Sequence, residues 1–277
     1  MIFEPLFFTI GITVLMKFIC EFLWIIKCSI SSSPVIKDWA CITGGSDGIG
    51  LGIAENLAKK GVNLLLISRS IEKLQATKTL LQSYPIQIQT FSYDLSKPDP
   101  KHFQSLLSLL KPYKISLFIN CAGISYSRFF HMHENQEIYS TLGLNIWPAV
   151  FMTKFFPEAF IINVSSTSSV NPTPILSIYS ATKAFIDVFS QIVYLENKKV
   201  LSYTCGFVDT AMTKRVKIKP LMIKPIEIKQ CLFRCIGNVA RSYGHWKHFI
   251  FGVILQIMPV VITSHTLLRV MKKRHRF

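Results

Sequence analysis

Across 277 residues, 31 Lys and Arg stand against 15 Asp and Glu, giving a formal net charge of +16, and half of the residues are apolar. That length buries one large core, most economically a single α/β domain with terminal appendages. Seven cysteines, an odd number with no C-x-x-C spacing, argue against a zinc site and for reduced thiols in a cytosol-facing compartment.

In chain order, the first element is an apolar run from Pro5 to Ile30, about the length needed to cross a bilayer. Lys17 and Glu21 interrupt it as an i, i+4 pair that can neutralise itself. No basic residue precedes the run and no small-residue cleavage site follows it. The expectation is therefore a retained membrane anchor (residues 1–30), with a monotopic helix lying in the interface as the rival. Glu4 lies before the run and Lys27 and Lys37 after it, so the positive-inside rule puts the main domain in the cytosol.

After a linker at 31–38, strand and helix patterns alternate. Strands are expected at Trp39 to Thr43, Val62 to Ser68, Ile86 to Ser92, Ile115 to Asn120, Phe160 to Val164 and Val200 to Cys205. Helices are expected at Gly50 to Lys60, closed by Gly61, at Ile71 to Ser83, Lys101 to Leu110, through Asn145, and at Tyr179 to Glu196. This alternation predicts right-handed crossovers and a doubly wound parallel sheet, a Rossmann-type α/β fold. The predicted core is 39–213. The remainder, 214–277, reads as a basic, apolar substrate-binding and membrane-associated region.

From Lys214 to Arg276 the basic residues are opposed by Glu227 alone. Such a patch suits an anionic leaflet or an anionic substrate handle such as coenzyme A phosphates; no nucleic-acid recognition motif accompanies it. The apolar stretch Phe249 to Ile262, broken by Gln256 and Pro259, is short for a span. It suits an interfacial or re-entrant segment, or the lipid-side wall of a pocket. His131 and His133 lack a third partner at zinc spacing, so no metal is expected.

The chemistry-bearing constellation is Tyr179-Ser-Ala-Thr-Lys183, with Ser166 upstream and a Gly-rich loop TGGSDGIG at 43–50. Tyr179 and Lys183 lie one helical turn apart on one face, where an ammonium can lower a phenol pKa that is normally about 10. A serine hydroxyl from the preceding strand end can bind the same substrate oxygen. The glycines let a backbone turn tightly against a pyrophosphate at a helix N-terminus. Together these point to carbonyl reduction or alcohol oxidation with a dinucleotide.

With LLISRS (65–70), NCAGISY (120–126), LNIWP (144–148), INVSS (162–166) and IYSATKAFIDVFSQ (178–191) in order, the chain resembles a short-chain dehydrogenase/reductase. It is most similar to the microsomal branch of very-long-chain 3-ketoacyl-CoA reductases and 17β-hydroxysteroid dehydrogenases. The resemblance spans about Trp39 to Thr213. It implies NADP(H) held by Gly44, Ser46, Asp47, Gly48, Ile49, Gly50, Ser68, Arg69, Asp94, Leu95, Asn120, Ala122, Gly123, Tyr179, Lys183, Val208 and Thr210. Arg69 stands where an acidic residue would bind a ribose 2′-hydroxyl, which favours the 2′-phosphate of NADPH, although Asp47 in the loop is not basic.

The resemblance further implies Tyr179 as proton donor, Lys183 on the phenol and the nicotinamide ribose, Ser166 on the substrate carbonyl, and Asn145 holding a relay water. The interval to Tyr179 selects Ser166 over Ser165. It also implies an endoplasmic-reticulum membrane protein acting on a lipidic ketone, an acyl-CoA or a steroid, and allows a homodimer. Three departures stand out: Cys205 where a Pro is common, short connections from Lys154 to Ile161 and from Glu196 to Val200, and a C-terminus without a dilysine signal. They leave open a catalytically silent, membrane-attached scaffold of the same fold.

Overall fold

The computed structural model describes residues 3–30, 34–97, 99–197, 199–214, 219–228, 230–264 and 268. Residues 31–33 of the linker, most of the basic 214–219 stretch and the basic end at 272–277 lie outside them. The side chains of Lys17, Glu21, Cys28 and Cys231 do so too.

The long N-terminal helix α1 (Phe3–Ile30) is followed by alternating elements: β1 (Trp39–Thr43), α2 (Gly48–Ala58), β2 (Asn63–Ser68), α3 (Ile71–Leu81), β3 (Ile88–Ser92), α4 (Pro100–Leu110) and β4 (Ile115–Asn120). Then come α5 (Asn135–Phe155), β5 (Phe160–Ser166), α6 (Ser177–Asn197) and β6 (Val200–Cys205), and finally α7 (Gln230–Cys235), β7 (Arg241–Ser242) and α8 (Trp246–Ile257). Side chains open the helices as their chemistry dictates. Asp47, Ser70 and Asp99 accept backbone N–H bonds at the starts of α2, α3 and α4, and Pro100 takes the first turn of α4, where its missing N–H costs nothing.

The sheet runs β3-β2-β1-β4-β5-β6-β7, and every neighbouring pair is parallel. Alternate residues of the central strands serve opposite faces, as a period of two requires. Ala40, Ile42, Leu64 and Leu66 join Ile53 and Leu57 of α2 and Leu74 of α3 on one side. Cys41, Leu65 and Ile67 join Phe103, Leu106 and Leu110 of α4 and Met152 of α5 on the other. The strand order reverses between β1 and β4, and a crevice at the carboxyl ends of the strands is where such a sheet takes ligands.

The C-terminal region is built into this body. Asn171, between β5 and α6, donates to the carbonyl of Leu255 (2.9 Å) and accepts from Thr263 (3.0 Å), clasping α8 to the segment after Ser166. The buried carboxylate of Asp187 on α6 accepts hydroxyl bonds from Ser202 (2.5 Å) and Thr204 (3.2 Å) of β6 and pairs with Arg241 of β7. Among the described residues no helix is long and apolar enough to cross a membrane.

Candidate active site

The turn after β1 depends on glycine. Gly44 and Gly48 have φ of +67° and +51°, and a Cβ on Gly50 would stand 2.3 Å from the Gly44 carbonyl oxygen. Only bare backbone folds this closely over the start of α2, where the helix dipole favours an anion. Ser46 Oγ donates to Ser68 Oγ at 2.7 Å, joining the loop to the end of β2. Gly48 packs against Thr210, whose methyl would lie 3.0 Å from a Cβ there.

Arg69 follows β2. Beside it, the Asp94 carboxyl lies below its ordinary value: burial raises it, but hydrogen bonds from Ser96 and the charges of Arg69 and Lys97 outweigh that. The side chains of Leu95 and Val208 are buried in the two apolar cores, so only their backbones are available to a ligand.

Across the switch point, Thr43 Oγ1 accepts from the amides of Cys121 (3.0 Å) and Ala122 (3.2 Å), fixing the chain as it leaves β4. A Cβ on Gly123 would lie 3.2 Å from Asn145 Oδ1 and 3.5 Å from Lys183 Nζ, so this glycine keeps the crevice floor low. Asn145 holds the same loop with two bonds, Oδ1 accepting from Ile124 N (2.9 Å) and Nδ2 donating to Ile124 O (3.0 Å), and ties it to α6 by a third, from Nδ2 to Thr182 Oγ1 (3.0 Å). Asn120 Nδ2 donates to Asn163 Oδ1 at 2.7 Å.

Beneath lies a cavity of about 10 Å³, lined among others by Asn120, Leu144, Asn145, Pro148 and Lys183. That is room for a single water, which needs two to four polar partners. The partners are there: Asn120 Oδ1 is buried without a hydrogen bond, and Pro148 has no N–H to give the Leu144 carbonyl.

Ser166 ends β5, two residues beyond the predicted strand, and Tyr179 and Lys183 lie on α6. Ser166 stands next to the half-buried Tyr179 phenol and draws its pKa down. Ser165 instead turns inward, giving its hydroxyl to the Lys183 carbonyl at 2.8 Å. Lys183 Nζ donates to the Val164 carbonyl at 2.7 Å and lies 5.7 Å from the centre of the Tyr179 ring.

This differs from the expected acidified phenol. Burial, aided by the Cys205 and Cys121 thiols, pushes Tyr179 above its ordinary value, and only Ser166 pulls it down. Burial likewise holds Lys183 below its ordinary value. Loss of water outweighs the ammonium, which is turned to the Val164 carbonyl. Cys121 and Cys205 are buried neutral thiols, pushed up to about 12 and about 11 by desolvation.

Thr43, Asn163, Thr182 and Asp187 were not singled out from the sequence. The one available hint was polar residues at strand and helix positions that the apolar pattern makes internal.

A fold and crevice of this kind define a dinucleotide-type α/β oxidoreductase, and the comparisons agree. The short chain dehydrogenase family matches residues 38–220. The chain is 33% identical over 271 residues to very-long-chain 3-oxoacyl-CoA reductase-A of Danio rerio, covering 90% of this chain and 83% of that protein. It is 34% identical over 239 residues to hydroxysteroid dehydrogenase-like protein 1 of Gallus gallus, covering 80% and 72%. A solved short-chain dehydrogenase from Sphingobium yanoikuyae in complex with NADPH shares the fold, with a TM-score of 0.67, 24% identity and coverage of 76% and 89%. The chain belongs to the short-chain dehydrogenase family.

Proposed function

We propose that this protein is an NADPH-dependent reductase of a lipidic ketone, with 3-oxoacyl-CoA thioesters as its substrate class. The observation that carries the reading is the convergence of Ser166, Tyr179 and Lys183 beside the Gly123 floor, at the open end of the Gly-rich loop. The bare-backbone cradle at Gly44, Gly48 and Gly50 fits a pyrophosphate, and Arg69 fits a 2′-phosphate. The name of the Danio rerio relative supports the acyl-CoA class.

NADPH, when bound, supplies the hydride that adds to the carbonyl carbon. Tyr179 gives its phenolic proton to the carbonyl oxygen, leaving a secondary alcohol and a phenolate. The phenol carries its proton at neutral pH, and burial makes it a weaker acid than free tyrosine. The Ser166 hydroxyl bonds the same oxygen as negative charge develops. Lys183 stabilises the phenolate, and the polar cavity at Asn120 and Asn145 is the route by which its proton is restored.

Residues 39–213 form the catalytic core in this reading, and 214–277 the substrate and membrane side. The exposed apolar residues of α1, among them Phe8, Leu15, Phe22 and Leu23, support attachment to the endoplasmic-reticulum membrane. A monotopic arrangement, with α1 in the interface, needs no span. The outward side chains of α8, Trp246, Ile250, Ile254 and Ile257, give lipid a second contact. The exposed stripe of Phe185, Val188, Ile192 and Leu195 on α6 supports a homodimer.

The test is a titration of the detergent-solubilised protein with NADPH, followed by fluorescence, and then NADPH consumption with 3-oxoacyl-CoA and steroid ketones. Binding followed by turnover of the thioester is expected. Turnover of the steroid alone would reassign the substrate, and no NADPH binding would leave a silent scaffold of the same fold.

A further inference from the structure

The Gly-rich loop carries an acid where it should receive one. Asp47 accepts from Gly48 N at 2.7 Å through Oδ1, so its carboxylate sits on the N-terminus of α2. That is the same end of the helix dipole that a dinucleotide phosphate would use. Left alone, this charge would oppose any further anion brought to the corner.

It is not left alone. Lys73, in the first turn of α3 and four residues beyond Arg69, reaches back and puts Nζ 2.7 Å from Asp47 Oδ2. Both side chains are about half exposed, at 56% and 50%. A solvent-exposed pair of this kind contributes only about 0–1 kcal/mol to folding, so stability gives it little reason to exist. Its setting suggests another. The Ser46–Ser68 bond draws the loop against the end of β2, next to Arg69. Arg69, Lys73, Lys97 and Lys214 are the cations of this corner, and Asp47, Glu72 and Asp94 its carboxylates. Of these cations Lys73 is the one in contact with Asp47. Removing it would leave the Asp47 carboxylate without its contact cation beside a phosphate that carries up to two negative charges.

We infer that Lys73, held against Asp47, is a cofactor-specificity residue: it cancels the loop's own carboxylate and so lets Arg69 select a 2′-phosphorylated dinucleotide. The inference rests on the NADPH reading above. It explains how an acidic loop and a phosphate-binding arginine coexist.

The experiment measures dissociation constants for NADPH and NADH by fluorescence on the full-length protein in detergent. It compares wild type, Lys73→Met, Asp47→Asn and the double variant. Asparagine caps a helix as well as aspartate, so Asp47→Asn removes charge and keeps the turn. Lys73→Met is expected to weaken NADPH at least tenfold relative to NADH. Asp47→Asn is expected to bind NADPH no more weakly than wild type, and the double variant to return the NADPH/NADH ratio to within about threefold of wild type. A ratio unmoved by Lys73→Met, or not recovered in the double variant, overturns the inference while leaving the cofactor assignment standing. A wild type that itself prefers NADH overturns both.

Discussion

Replacing Tyr179 with phenylalanine is expected to lower NADPH-dependent ketone reduction by about 100- to 10,000-fold while leaving NADPH affinity within a few-fold of wild type. The substitution removes one oxygen from a half-buried ring and keeps the packing of α6. On the proposed mechanism, what is lost is the acid that protonates the substrate oxygen. Ser166 still offers a hydrogen bond, which is why a residual rate is expected rather than none. Steady-state kinetics of the two proteins, with cofactor binding measured separately, check this. Equal rates would remove Tyr179 from the chemistry. Parallel loss of binding and rate would make it a structural residue of the crevice.

Replacing Asp187 with alanine is expected to destabilise the protein by about 3–5 kcal/mol, because it removes a buried carboxylate on which two hydroxyls and the Arg241 guanidinium converge. For a domain of this size that is a fall in Tm of roughly 10 °C. The carboxylate is the meeting point of α6, β6 and β7, taking Ser202, Thr204 and Arg241 at once. Ser169 links it onward, with its hydroxyl 3.5 Å from Asp187 and donating to the Ser166 carbonyl at 2.6 Å. Loss of the carboxylate therefore loosens the strand end that presents Ser166. Thermal unfolding in one detergent checks the magnitude. A change below about 1 kcal/mol would reduce this network to the level of a surface ion pair.

Much of the sheet was legible because its strands are buried on both faces and read as continuous apolar runs. β1, β4 and β6 begin and end where the pattern puts them, and Gly61 follows α2 with φ of +75°. Boundaries moved where polar side chains rule: α2 starts at Gly48 because Asp47 caps it, and β5 continues to Ser166. β7 was not legible. Two residues carry no periodicity, and the strand exists because Arg241 finds a carboxylate 54 positions earlier. The same holds within the site. The spacing of Tyr179 and Lys183 is a local fact, visible in one helix. The direction in which the phenol titrates is not, since it depends on how completely its surroundings in the folded chain exclude water. The pairing of Asp47 with Lys73 across 26 positions was hidden for the same reason.

Hydride transfer itself is the process to follow. Wild-type protein given a 3-oxoacyl-CoA and NADPH deuterated at the transferable C4 position should yield a 3-hydroxyacyl-CoA with one deuterium on C3, detected by mass spectrometry. The Tyr179→Phe protein should yield about 100- to 10,000-fold less of it over the same interval. NADPH bound tightly by the wild type, with no deuterium delivered to any ketone offered, would contradict the reading of this crevice as a reductase site.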